Sequence, residues 1–114
     1  MGEIKQGDVV LVNFEPIMGH EQSGCRPAAV ISSDDFSYSR MVIVCPLTSS
    51  IKNRPGSVVI KKDNLNKLNA DSEIVVGQIR AVSIQRVVQH IGTLNMPQLK
   101  EIFSNFDMLC DREV

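Results

Sequence analysis

Only one stretch of this 114-residue chain carries the spacing of an amphipathic helix, and it lies near the end. Leu99, Ile102, Phe103, Phe106, Leu109 and Cys110 recur at i, i+3, i+4 and i+7, the period that gathers apolar side chains on one buried face. Asn95 offers a side-chain acceptor at the N-cap, and Pro97 falls in the first turn, where a missing N–H costs little. Everything before it is cut by glycine and proline into short runs rich in β-branched residues. Such runs predict strands at 8–14 (DVVLVNF), 28–32, 41–45, 57–60 and 87–91, with a longer one at 73–82 that Gly77 bends or bulges. Pro27 is placed at the start of its strand, because a residue without an N–H does not belong inside a ladder. Six short strands followed by one helix predict a mainly β fold with a C-terminal α-helix, a small β-barrel forming a single domain over residues 1–114.

The net charge of −1 argues against a protein that coats nucleic acid, since such binding rests on many phosphate contacts. It leaves room for a local cationic groove built from Arg26, Arg80, Lys52 and Arg54, or from Lys61, Lys62 and Lys67. The three cysteines show no CxxC spacing and form no ligand set with His20 and His90, so neither a metal nor another cofactor is expected. Cys45 and Cys110 sit inside apolar patterns and read as inert buried thiols. Cys25 instead lies in the polar loop beside Arg26. The longest apolar runs are too short to span a bilayer and the N-terminus lacks the apolar core of a signal peptide, so a cytoplasmic protein without membrane contact is expected.

Three stretches carry groups able to do chemistry. In GHEQSGCRP (19–27), Arg26 is held extended by the following proline and forms a fork for a phosphate or carboxylate; the plain alternative is a surface ion pair with Glu21. In CPLTSS (45–50), a buried strand ends at Pro46, and Thr48, Ser49 and Ser50 follow as phosphate-holding hydroxyls or as an ordinary turn. In QIR (78–80), strand alternation puts Gln78 and Arg80 on one face, toward water or a groove. His20 titrates near neutrality and is either an acid–base group or a solvated loop residue.

Taken in order, GDVVLVNFEP, GHEQSGCRPAAVIS, IVCPLTSSIK, VVGQIRAVS and IGTLN before a helix, the chain resembles the MazF/PemK family of bacterial toxins over residues 6 to 110. The resemblance implies an SH3-like or CcdB/PemK-like β-barrel that forms a homodimer. It implies a sequence-specific, metal-independent endoribonuclease that cuts single-stranded RNA. An antitoxin with a disordered tail over the RNA groove neutralises it, and operator DNA is met only through that complex. The 2′-OH attacks the adjacent phosphorus, leaving a 2′,3′-cyclic phosphate and a 5′-OH, so the reaction calls for a base, an acid and a cation for the phosphoryl charge. By the family motif, Arg26 and Thr48 are catalytic, Glu21 is a base or orients Arg26, and His20 has a role in some members. Gln22, Ser49, Ser50, Lys52, Arg54, Gln78 and Arg80 are the RNA-binding set. Gly77 departs from the pattern, since many members carry an acid there. With Phe103 and Phe106 assigned to the helix core, few aromatics remain to stack bases, and hydrogen bonding becomes the main means of reading them. Two other readings stay open: a same-fold poison of a protein such as DNA gyrase, as CcdB toxins are, and a non-cleaving member that binds antitoxin and DNA.

Overall fold

The computed structural model describes residues 3–14 and 24–111. In chain order these form β1 (Asp8–Asn13), β2 (Cys25–Val30), β3 (Met41–Thr48), β4 (Val58–Ile60), β5 (Ser72–Ile74), β6 (Arg80–Ser83), β7 (Val87–Thr93) and the helix α1 (Met96–Leu109). All ladders are antiparallel. The strands lie in the order β4-β5-β3-β2-β1-β7, with β6 beside β3 as well.

The run DVVLVN lacks simple alternation because the sheet is covered on both faces. Val9 packs with Ala29, Cys45, Leu47 and Ile74 beneath Leu99 and Ile102 of α1. Its neighbour Val10 points the other way, joining Val12, Ala28, Val30, Val44, Val82 and Val87 in a second core enclosed by the sheet's own curl. Each fully buried side chain of this kind contributes about 1.5–3 kcal/mol. α1 begins as expected: Asn95 Oδ1 accepts the Gln98 N–H (2.8 Å), and Gln98 Oε1 accepts the Asn95 N–H in return (3.1 Å), a complete capping box.

Several expectations need correction. The barrel does not close: among the described residues no ladder joins β6 to β7. The reason lies in β3, whose outer edge is divided, Met41–Val44 pairing with β6 and Leu47–Thr48 with β5. The short β6 follows only half of it and passes to β7 through a 3-10 turn at Ile84–Arg86. The 73–82 run is two strands, not one bent strand, because a 3-10 turn at Val76–Gln78 interrupts it. Gly77 sits in that turn, and Gln78 is not on a strand. A further 3-10 turn, Asp34–Ser39, was not foreseen. β3 runs through Pro46 to Thr48 instead of ending there, and β2 begins before Pro27. At the far end of α1, Cys110 is exposed and Phe103 is 39% exposed, so neither is a core residue. No helix of the described residues is long and apolar enough to cross a membrane.

Candidate functional site

Two prolines locate the site. Across β2 and β3 the Ile31 N–H donates to the Ile43 carbonyl (2.9 Å), and hydrogen-bonded pairs recur every second residue, through Ala29 and Cys45 to Pro27 and Leu47. Pro27 has no N–H, so the ladder stops after Ala28 and Pro46. Pro27 is nonetheless inside β2, opposite Leu11 of β1, because its bare nitrogen points away from β1. Pro46 likewise turns its nitrogen from β2, at the point where β3 exchanges β6 for β5, and its carbonyl accepts the Val75 N–H (2.8 Å). The two strands therefore part where Arg26 and Thr48 stand; continued by two residues, the register sets them opposite each other on one face.

Arg26 is exposed and lines a concave pocket of about 390 Å³ together with Phe14, Pro46, Gln78, Ile79 and Arg80. Among the described residues no acidic side chain lines it. The Arg80 guanidinium lies 5.2 Å from the centre of the Phe14 ring, a cation–π contact that occupies the ring face and aims a second cation at the pocket. Two arginines on a low, partly apolar floor make an anion site. Phe14 donates its N–H to the Gly24 carbonyl at 3.1 Å. His20, Glu21 and Gln22 lie outside the described residues.

Thr48 is half-buried, and its hydroxyl oxygen accepts the Ser50 N–H (3.1 Å), which leaves the hydroxyl proton free to donate. Ser49, Ser50 and Lys52 are exposed on the loop that follows. The Arg54 guanidinium meets the Glu73 carboxylate at 3.1 Å and donates to the Ser50 carbonyl at 3.2 Å.

Glu73 is the residue that sequence reasoning missed. It stands opposite Thr48 in the β3–β5 ladder with its side chain wholly buried. Its carboxylate accepts the backbone N–H groups of Lys52 (2.6 Å), Asn53 (3.0 Å) and Arg54 (2.8 Å). Burial alone would raise its pKa. The donors of Lys52, Arg54 and Asn53 and the Ser57 hydroxyl outweigh that and lower it to about 2. The signal in sequence was an acid at the head of the apolar run EIVV, read there only as the start of a strand. Burial pushes the Cys45 thiol up to about 12, in keeping with an inert core residue.

An open, curled sheet with two arginines over a pocket at a parted strand pair defines a small protein with an anion-binding face. Residues 5–109 match the model for PemK-like, MazF-like toxins of type II toxin–antitoxin systems, and the chain belongs to that family. It is 34% identical over 108 residues to Endoribonuclease MazF of Staphylococcus saprophyticus, covering 92% of this chain and 89% of the relative. The fold is similar to crystal structures from Deinococcus radiodurans. MazF alone superposes with a TM-score of 0.79 at 25% identity, covering 96% of this chain and 98% of that one. MazF within its MazE–MazF complex gives the same TM-score and identity, covering 96% and 97%.

Proposed function

We infer that this chain is an endoribonuclease toxin that cuts single-stranded RNA and is neutralised by a cognate antitoxin. The observation that carries the assignment of residues is the placement of Arg26 and Thr48 across the parted β2–β3 pair, beside a pocket with a second arginine. Attack of the ribose 2′-OH on its own phosphorus forms the P–O2′ bond and breaks the P–O5′ bond. Negative charge gathers on the phosphoryl oxygens as it does so. Arg26 stabilises that charge, and the Thr48 hydroxyl holds the scissile phosphate. The substrate supplies the nucleophile, so no metal-bound water is required. Glu21 or His20 takes the 2′-OH proton, Arg26 or water gives one to the departing 5′-oxygen, and Gln22 contacts the RNA. Gln78 and Arg80 bind the chain on the pocket side, and Ser49, Ser50 and Lys52 on the loop side. Arg54 acts by bracing that loop.

The protein works in the cytoplasm as a homodimer, each sheet a barrel left partly open, and reaches operator DNA only when bound to antitoxin. A gyrase-type poison has no use for an arginine–threonine pair at a parted sheet, and nothing in the pocket favours a non-cleaving role. The test is incubation with mixed single-stranded RNA in EDTA. Fragments should end in 2′,3′-cyclic phosphate and 5′-OH, and Arg26→Ala and Thr48→Ala should each lower kcat by about 100- to 1,000-fold. Intact RNA under conditions where another member of the family cuts would refute the assignment.

A further inference from the structure

The loop from Ser49 to Ser57 carries the hydroxyls and Lys52 that follow Thr48, and it is held from two sides. One side is Glu73. Asn53 takes the left-handed conformation (φ 53°), which turns three successive N–H groups toward the same carboxylate. The other side is α1. The loop closes through a turn at residues 54–57, in which the Ser57 N–H donates to the Arg54 carbonyl (3.0 Å) and Gly56 has a φ of 75°. This turn lies against the end of α1, where a Cβ on Gly56 would stand 2.7 Å from Leu109. One helical turn earlier, Asn105 Nδ2 donates to both the Gly56 carbonyl (3.1 Å) and the Ser57 carbonyl (3.3 Å). Two carbonyls call for two protons, and the amide NH2 is the part of this side chain that has them. Asn105 is half-buried on the stripe of Ile102 and Phe106, where the helix period asks for an apolar residue and asparagine is a weak helix former. Its amide serves the turn.

We propose that Asn105 is a positioning residue for RNA cleavage, clamping the turn so that the loop after Thr48 keeps the shape that meets RNA. The proposal rests on the endoribonuclease reading. The path is continuous. Asn105 holds the backbone of Ser57, whose hydroxyl donates to the Glu73 carboxylate. That carboxylate gathers the N–H groups of Lys52, Asn53 and Arg54, and Glu73 stands opposite Thr48 in the β3–β5 ladder. Without the amide, the two carbonyls regain partners only by turning toward water, and the turn must leave the helix to do so. Leucine at 105 has nearly the shape of asparagine and a higher helix propensity, so Asn105→Leu removes the clamp and keeps the helix. Aspartate, which only accepts, sets its charge against two carbonyl oxygens and repels the turn.

Two measurements on the full chain decide the matter. In steady-state cleavage of a short RNA that the wild type cuts, Asn105→Leu should raise KM about fivefold, the order of one net hydrogen bond, with kcat within about twofold. Asn105→Asp should raise KM further. Unchanged KM in both variants, or a fall in kcat alone, would overturn the proposal. Independently of cutting, hydrogen exchange in Asn105→Leu should quicken about tenfold at the amides of Lys52, Asn53 and Arg54, while those of Ala29 and Cys45 keep wild-type rates. The loop amides bond to Glu73 and not to residue 105, so their exchange reports the path rather than the substitution itself. Wild-type exchange in the loop, or equal quickening in the loop and the β2–β3 ladder, would overturn it. Were the wild type to leave RNA intact, the endoribonuclease reading would fail, and exchange at residues 52–54 would still decide whether Asn105 holds the loop.

Discussion

Glu73 illustrates how one side chain can hold a functional loop in place. Three successive backbone N–H groups, 52 to 54, converge on its carboxylate, and the Arg54 guanidinium closes over it. The loop after Thr48 is therefore anchored to the strand that pairs with Thr48, and the Thr48 hydroxyl is set from both directions. Its carboxyl pKa falls from the ordinary 4.5 to about 2 on folding, so between those values the unfolded chain binds more protons than the folded one. The stabilisation is complete above about pH 4.5 and declines as the pH falls toward about 2. Urea midpoints measured from pH 6 to 2 should drop across that window in the wild type. In Glu73→Gln they should start lower and change less, because an amide presents its NH2 to donors and cannot titrate. Parallel pH curves for the two proteins would show that the carboxylate does not carry the effect. At neutral pH the same variant should raise KM more than it lowers kcat, since Arg26 stays in place while the loop is loosened.

At the scale of elements, the two prolines do more than punctuate. Pro27 ends the β2–β3 ladder early and Pro46 marks where β3 changes partners, so the sheet is parted where Arg26 and Thr48 stand opposite each other. A comparable fit appears in β7, where Gly92 lies against the 65–66 turn. A Cβ there would stand 2.3 Å from the Asn66 carbonyl oxygen, a backbone atom with little freedom to move, since Asn66 is wholly buried and its side chain bonds to Asp63, Leu68 and Lys61. Gly92→Ala should destabilise the fold by about 3 kcal/mol, read as a lowered urea midpoint with an unchanged m-value. Wild-type stability in that variant would mean the turn can retreat. The strands and helix of this fold were legible because β-branched runs and a 3.6-residue period are local signals. Pro27 was legible as a ladder breaker but not as a strand residue, because its tolerance depends on which neighbour its nitrogen faces. Arg26 and Thr48 could be singled out by motif, whereas the role of Glu73 depends on a loop 20 residues away folding back onto it. The divided edge of β3, which keeps the barrel open, arises from pairing between distant segments and leaves no mark on any one of them.

For the whole molecule the decisive quantity is charge, and here its placement matters more than its sum. The chain is net −1 with 12 Lys and Arg against 13 Asp and Glu, so its average field does not attract RNA. What remains is local: Arg26 and Arg80 in the pocket and Lys52 on the adjoining loop, with Arg54 committed to Glu73. Three free cations release about two counterions from a single strand, since each neutralised phosphate adds roughly 0.7 to the slope of log K against log salt. Binding of an uncleavable RNA, made with a 2′-deoxy residue at the cut site, should therefore weaken with a slope near −2, far shallower than for a protein that coats nucleic acid. Arg80→Ala should remove about 0.7 of that slope while freeing the Phe14 ring face, so its loss in affinity should shrink at high salt. Arg54→Ala should leave the slope unchanged, because its charge already faces a carboxylate, and should weaken binding only through the loop it braces. A slope steeper than about −4 in the wild type would mean that RNA is held over a wider cationic surface than the three residues provide. An Arg54→Ala protein with a reduced slope would show that this arginine leaves Glu73 to meet the substrate.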